Sequence, residues 1–499
     1  LSVESSINIK GGTSNTSIGG AGVYGENFTL NNNGSVWGGD GYNGGIAVSG
    51  NKISINNYRN VYGGNGLGGS GSSGGAGLSG DDIIVDNYRS IYGGDDVGGT
   101  GGSGVTGSNI TVHNSGGILG GNGVNGGDGI NGSNLFITND NMISGGYGIK
   151  QGGDAISGNQ ITLNNNGIVQ GGYGPDGGCS VYGEDIHINN HGNLSGLYNS
   201  QKDAYNTSII FSGGYNSLDI YSDSVINGDI KLASIPVNGT NELIIKNINN
   251  ATAINGGLMI GNGSSVYLSG KNSIFNGNIS IDEDASMNLS VGNANVHANT
   301  ITLKSDSWLN IDTSIKNWTQ DYYTLLSSDT GISIADNSHI VQYNVLLTEG
   351  AESYVYTSLN DDDNKLISML RWNNTKGMGY GTFNIEKDAT LNIGVSLSDN
   401  LSPLLYDGWD GKSLTKSGNG TLILSATNNY TGNTEVKSGV LILAAPDALG
   451  RTEYLYLSRG AELDMNGYPQ TISKLLTAAG SVLNIHGGSL ILNNGGESA

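Results

Sequence analysis

Short apolar triplets recur along the first 200 residues, as in Ile53-Ser54-Ile55, Ile110-Thr111-Val112 and Ile161-Thr162-Leu163. Alternation puts the first and third side chains on one face of a strand and the middle one on the other. Seven equivalent starts, Phe28, Ile53, Ile83, Ile110, Leu135, Ile161 and Ile186, lie 25 to 30 residues apart. Five columns then fall into register. Three residues before each start is Gly (Gly25, Gly50, Gly80, Gly107, Gly132, Gly158, Gly183), and four after it is Asn (Asn32, Asn57, Asn87, Asn114, Asn139, Asn165, Asn190). Apolar residues hold the positions five before, two after and eight after, for example Val48, Ile55 and Val61 in one unit.

A unit with three strands of three to five residues cannot bury its apolar face alone, but stacked copies can. The pattern therefore predicts an all-β, right-handed parallel β-helix with three strands per coil. The Gly column is expected at a corner that needs φ > 0. The Asn column is expected to tolerate such a corner and to hydrogen-bond to its copy in the next coil. Length varies only between the Gly-Gly after the third strand and the next coil, longest at Gly64–Gly77 and Gly94–Gly104. Loop insertions thus fall on one edge, which in solenoids is often the binding face.

The strict unit covers residues 1–200. Over 201–380 the alternation continues in single strands, predicting irregular coils of the same helix. Longer excursions are expected at Ser314–Leu326 and Tyr356–Leu366, and Asp363–Trp372 reads as helix or strand. Residues 381–499 form a third, C-terminal stretch. At about 25 residues per coil and a spacing of about 4.8 Å, the chain gives about 20 coils.

Composition changes this picture in three ways. The 86 glycines among 499 residues come with only 5 prolines and 36% hydrophobic residues, which fits a repetitive fold rather than a disordered linker. The net charge of -22 argues against nucleic acid and against simple capture of anionic surfaces. A single cysteine, Cys179, excludes an intrachain disulfide and reads as a small buried residue. No apolar run of about 20 residues predicts a transmembrane helix.

The C-terminal stretch carries a family resemblance. Leu414–Leu443 contains Lys-Ser-Gly-x-Gly-Thr-Leu at 416–422, Asn-x-Tyr-Thr-Gly at 428–432 and Ser-Gly-x-Leu at 438–441. It resembles the autotransporter-associated β-strand repeat, and with flanking coils the resemblance spans roughly 380–499. The chain is similar to passenger domains of AIDA-type adhesin autotransporters. That implies a type V secreted segment on a Gram-negative surface, anchored through an outer-membrane β-barrel outside this sequence, or released from it. It also implies adhesion through host glycosaminoglycan-type glycans or fibronectin-type matrix proteins, in a virulence or biofilm setting. No serine-protease Gly-Asp-Ser-Gly motif is present.

Candidate chemistry concentrates in the regular coils. "NYR" occurs twice on adjacent coils, as Tyr58-Arg59 and Tyr88-Arg89, where other coils place Gly or Asn. Nine residues after the start come Trp37, Tyr62 and Tyr92, expected to point outward as a ladder. Aromatic faces stack on sugar rings and Arg offers a fork for sulfate or carboxylate. The competing reading is edge packing of a duplicated repeat. Twelve after the start come Asp40, Asn65, Asp95, Asn122, Tyr147 and Tyr173; with Asp96, Asp128, Asp154 and Asp176 nearby they form an acidic, hydroxyl-bearing stripe. It serves either as a hydrogen-bonding face for a polysaccharide or as a solvated turn.

Other functions find less support. A polysaccharide-active enzyme needs carboxylates converging on a groove, and the dense runs, Asp95-Asp96 and Asp361-Asp362-Asp363, do not recur with basic partners. Calcium nonapeptides want Asp where Asn43 and Asn131 stand. His187 and His191 have a zinc-like spacing only on a helix. The reading is therefore a binding protein without catalysis, cofactor or metal, with self-association between passengers as the alternative.

Overall fold

A computed structural model describes residues 2–199, 204–236, 238–247, 254–374, 378–402, 404–406 and 408–493. The described residues are strands and turns, with one turn of 3-10 helix at Arg371–Asn373. Parallel stacked coils form a β-solenoid of about 17 turns, fewer than chain length alone suggests. The coils group into two compact units, the first over 1–288, 294–309 and 328–339, the second over 289–293, 310–327 and 340–499. The boundary expected at residue 200 lies outside the described residues.

In the first unit the two leading strands of a coil are separate in the first two repeats, Val23–Tyr24 with Thr29–Asn32 and Val48–Ser49 with Ile53–Asn57, and merge into one bent strand in the next five: Leu78–Asn87, Val105–Asn114, Ile130–Asn139, Ile156–Asn165 and Val181–Asn190. Each pairs in parallel with the next at matching positions, Ile83 with Ile110 and Ile110 with Leu135. The predicted apolar columns line the core; Ile83, Val85, Ile91 and Val105 are fully buried, as are their counterparts on neighbouring coils. Each such side chain contributes on the order of 1.5–3 kcal/mol.

The Asn column is a buried ladder. Each Nδ2 donates to the Oδ1 one coil further on, from Asn32 through Asn57, Asn87, Asn114, Asn139 and Asn165 to Asn190, at 2.7–2.9 Å. These residues end extended strands and do not turn a corner. The left-handed residue is instead the one just before each start: Asn27, Lys52, Asp82, Asn109, Asn134, Gln160 and Asp185, with φ of 52–55°. The Gly column does bend, with φ of 145–156° at Gly50, Gly80, Gly107, Gly158 and Gly183. A Cβ at Gly80 would also sit 1.8 Å from the carbonyl oxygen of Gly50.

The insertions are not loose loops. After the third strand the backbone returns as a second layer of glycine packed against the first. Gly64 N–H donates to Gly45, Gly75 to Gly64, Gly94 to Gly75 and Gly102 to Gly94, each at 2.8 Å. A Cβ at Gly63 would lie 1.9 Å from the oxygen of Gly75 and one at Gly64 2.0 Å from that of Gly39. Backbone-to-backbone packing at this distance leaves room for no other residue.

The second unit is built from shorter coils. Leu422 stacks on Leu441 and Leu441 on Leu463, all buried. Asn317–Trp318 pairs directly with Thr390–Ile393, placing Trp318 beside Ile393. Between these strands Ile332–Ile334 still pairs in parallel with Ile301–Leu303, and the rest of the chain leaves the coil, in the stretch where longer excursions are expected. In that interval Tyr322–Ser328, Lys365–Leu370 and Val355–Leu359 run antiparallel. Asp361-Asp362-Asp363 is the exposed turn of the hairpin, with Asp363 at φ 51°.

Candidate functional site

The third strand of each coil is only two or three residues long, as in Val61–Tyr62, Ser90–Tyr92 and Gly117–Leu119. Its Val or Ile points into the core and the next residue points out. Parallel register then sets Trp37 beside Tyr62 and Tyr62 beside Tyr92. The rings stack at centroid distances of 5.5 and 5.0 Å with planes 11° and 4° apart. Their faces therefore cover one another, and the ladder offers ring edges and hydroxyls. At the two ends the register sets Lys10 beside Trp37 and Leu119 beside Tyr92.

Two glycines later the chain reaches the second column. Here each side-chain oxygen accepts the backbone N–H of the equivalent residue one coil on: Asp40 from Asn65 at 2.9 Å, Asn65 from Asp95 at 3.0 Å, Asp95 from Asn122 at 2.7 Å and Asn122 from Tyr147 at 2.9 Å. The column continues as Tyr147 stacked on Tyr173 at 5.4 Å. One oxygen of each Asp and Asn thus clips the coils together.

Between the columns runs an open groove of about 480 Å³. Trp37, Tyr62 and Tyr92 form one wall; Asp40, Asn65, Asp95 and Asn122 form the other, over a floor of glycine backbone. Lys10 closes one end, 3.7 Å from Asp40. Lys10 was not singled out from sequence, since its coil precedes the first complete repeat.

Tyr58, Arg59, Tyr88 and Arg89 lie outside this groove, in the turn before the third strand. Tyr58 and Tyr88 stack at 5.0 Å and remain 45% and 50% exposed. Arg59 and Arg89 are exposed and form no ion pair among the described residues. Asn60 joins the turn to the ring ladder, its Nδ2 donating to the Tyr62 hydroxyl at 2.6 Å. The candidates thus separate into a groove of hydroxyl, amide and carboxylate groups and an adjoining corner with two guanidinium groups.

The acidic stripe is partly internal. Asp96 is fully buried, while Asp128 is half-buried and accepts from Asn131 and Ser157. Burial, then the nearby Asp128 charge, pushes the Asp154 carboxyl up to about 7. The Cys179 N–H donates to Asp154 at 2.6 Å, and burial together with that carboxylate pushes the Cys179 thiol up. His187 meets Ser217, and His191 meets Asp223 and the ring of Tyr221. Among the described residues no three His, Cys, Asp or Glu side chains are grouped to hold a metal.

Stacked parallel coils with a repeated outward face define a solenoid that presents one surface many times. Two family models match this chain: the VirG insertion domain over residues 308–371 and the passenger-associated-transport-repeat over 414–443. The first covers the point where the chain leaves the coil and its antiparallel strands. The chain is 30% identical over 172 residues to the uncharacterized protein YuaQ of Escherichia coli K12, covering 34% of this chain and 12% of that protein. It is 31% identical over 135 residues to the adhesin BmaC autotransporter of Brucella suis, covering 27% and 3%. It is also 39% identical over 71 residues to the lipoprotein YdeK of Escherichia coli K12, covering 14% and 5%. The chain spans about an eighth or less of each of these proteins. Together with the fold, these matches support an autotransporter passenger domain. Such a passenger has an extracellular or surface location, and no helix among the described residues is long and apolar enough to cross a membrane.

Proposed function

We propose that this passenger is an adhesin that binds host glycans along the groove of its N-terminal coils, by hydrogen bonding and without turnover. The observation that carries the reading is the groove itself, whose walls carry an aromatic ring on three successive coils and an Asp or Asn on four. The coil spacing of about 4.8 Å is close to the advance of one sugar unit in an extended polysaccharide. Hydroxyl and amide edges suit sugar hydroxyls. Asp40 and Asp95 favour a neutral stretch of chain in the groove. Sulfate or uronate groups of a glycosaminoglycan-type ligand would turn outward to Arg59 and Arg89, where planar, two-point hydrogen bonding is available.

A glycan and matrix-protein array that includes fibronectin tests this reading. Arg59→Ala with Arg89→Ala is expected to remove binding to sulfated and uronate-bearing chains while neutral glycans remain. Binding of all glycans at unchanged strength would leave the repeated "NYR" as a duplicated edge.

Self-association is a second reading, favoured by one observation. At the outer tips of the glycine layer Tyr42, Leu67, Val97, Val124 and Ile149 follow one another coil by coil, with Val97 84% exposed. An apolar row on a chain of charge -22 is a contact for a second passenger. Sedimentation at rising concentration checks it, with dimers expected that Val97→Lys abolishes.

A further inference from the structure

Asp96 occupies a place that is glycine on every neighbouring coil. It pairs with Gly66 on one side and Gly123 on the other, and Gly41 and Gly148 extend the same row. Its residue surface is 0% exposed. Oδ1 accepts the N–H groups of Gly98 and Gly99, both at 2.9 Å. Oδ2 has no hydrogen-bond partner. A buried carboxylate oxygen without a donor is among the costliest groups to bury.

The surroundings of Oδ2 are oxygen-rich. A Cβ built on Gly66 would lie 2.1 Å from Oδ2 and 2.8 Å from the carbonyl oxygen of Ser73, so the two oxygens lie close together beside the Gly66 α-carbon; the Ser73 carbonyl also accepts the Gly44 N–H at 2.8 Å. The segment 67–73 that covers it belongs to the longest insertion of the chain. Ser72 within it is 2% exposed, and its hydroxyl donates to the Gly69 carbonyl, away from Oδ2. No basic side chain pairs with Asp96 among the described residues.

We infer that Asp96 anchors a site for a hard, oxygen-seeking cation such as calcium, completed by backbone carbonyl oxygens of the 66–73 segment, Ser73 first. Carboxylate and carbonyl oxygens are the ligands such ions take, and extracellular calcium modules bind in the range of about 10⁻⁴–10⁻³ M. The ion would tie the insertions of two adjacent coils together at the rim of the glycan groove, since Asp95 clips the next coil from the groove wall. The proposal does not depend on what the groove binds.

Thermal unfolding of the purified chain, in millimolar calcium and in chelator, tests the site alongside terbium luminescence excited through tyrosine. Tyr42, whose ring lies against Gly68, is the expected donor. Calcium is expected to raise the midpoint of the unaltered chain and to displace terbium emission. Asp96→Asn is expected to lose both responses while keeping its chelator midpoint, because the Asn amide can donate to the Ser73 carbonyl. Asp361→Asn with Asp362→Asn, at the exposed hairpin turn, is expected to keep both. Equal midpoints with and without calcium, or an Asp96→Asn chain that responds like the unaltered one, overturns the site. Should Asp96→Asn fail to fold, calorimetric titration of the unaltered chain with calcium decides: one ion per chain supports the site and no heat overturns it.

Discussion

The seven regular coils of the first unit and the C-terminal coils of the second solve one stacking problem with different means. The first unit puts a polar ladder inside, with the amides of seven asparagines bonded head to tail. The second has a buried cation, Lys416, whose Nζ donates to the carbonyls of Ser417, Gly418 and Ser438 at 2.7, 2.8 and 3.0 Å. A ladder ties each coil to both neighbours and so enforces a uniform repeat. A lysine cap closes one turn and lets neighbouring coils differ. Outward variation in the first unit is thus confined to a few columns on a fixed lattice, whereas the second tolerates a departure between Asn317 and Thr390.

The largest expected effect is on the ladder. Asn87→Ala leaves the Asn57 amide and the Asn114 oxygen buried without their partner, each costing about 1–3 kcal/mol. Chemical unfolding should show a loss of about 4 kcal/mol from the first unit. Lys416→Met is expected to cost the second unit about 2 kcal/mol, because it takes the donor from the Ser438 carbonyl, while those of Ser417 and Gly418 keep the Ile385 N–H and the Ser438 hydroxyl, and it also removes a buried charge. Equal losses would erase the distinction between ladder and cap.

The two units should also answer oppositely to pH. Asp154 holds its proton up to about 7 in the folded state and up to about 3.9 in an unfolded chain. The folded form binds the extra proton in between, so stability of the first unit falls as pH rises from about 4 to 7. Lys416, pushed down by burial to about 8, loses its proton earlier when folded than at the unfolded value of about 10.4. Stability of the second unit therefore rises from about pH 8 to 10. Each slope is expected on the order of 1 kcal/mol after solvent screening, and Asp154→Asn and Lys416→Met should flatten them separately.

The smallest effect is a gain. Asn32 Oδ1 is buried without a partner because the preceding coil carries Ser5 in that column, and Ser5 bonds to Ile7 instead. Ser5→Asn should extend the ladder by one rung and add about 1 kcal/mol, read as a higher unfolding midpoint.

What was legible in the sequence followed from strict recurrence. The apolar and Asn columns repeat without exception, and both occupy the interior the pattern assigns. The left-handed corner was not legible, because Asn, Lys, Asp and Gln share it. The glycine layer read as insertions because glycine carries no periodic side chain to place it. Asp40 and Asp128 both sit in "GGDG", yet the first lines the groove and the second lies in the inner return of the backbone. Local sequence does not separate those two settings. The outward ladder was legible as a column, but the covering of ring face by ring face depends on the coil spacing.

That covering is where the glycan reading is most exposed to test. Tyr62→Phe with Tyr92→Phe keeps the stacked rings and removes two hydroxyls, of which that of Tyr62 also accepts the Asn60 amide. The affinity of a glycan selected on the array should be measured by calorimetry for both chains. Recognition by hydroxyl edges predicts about a tenfold loss, from two hydrogen bonds of about 0.5–1.5 kcal/mol each. Unchanged affinity would contradict hydrogen-bonded recognition along the groove and move the ligand elsewhere on the passenger.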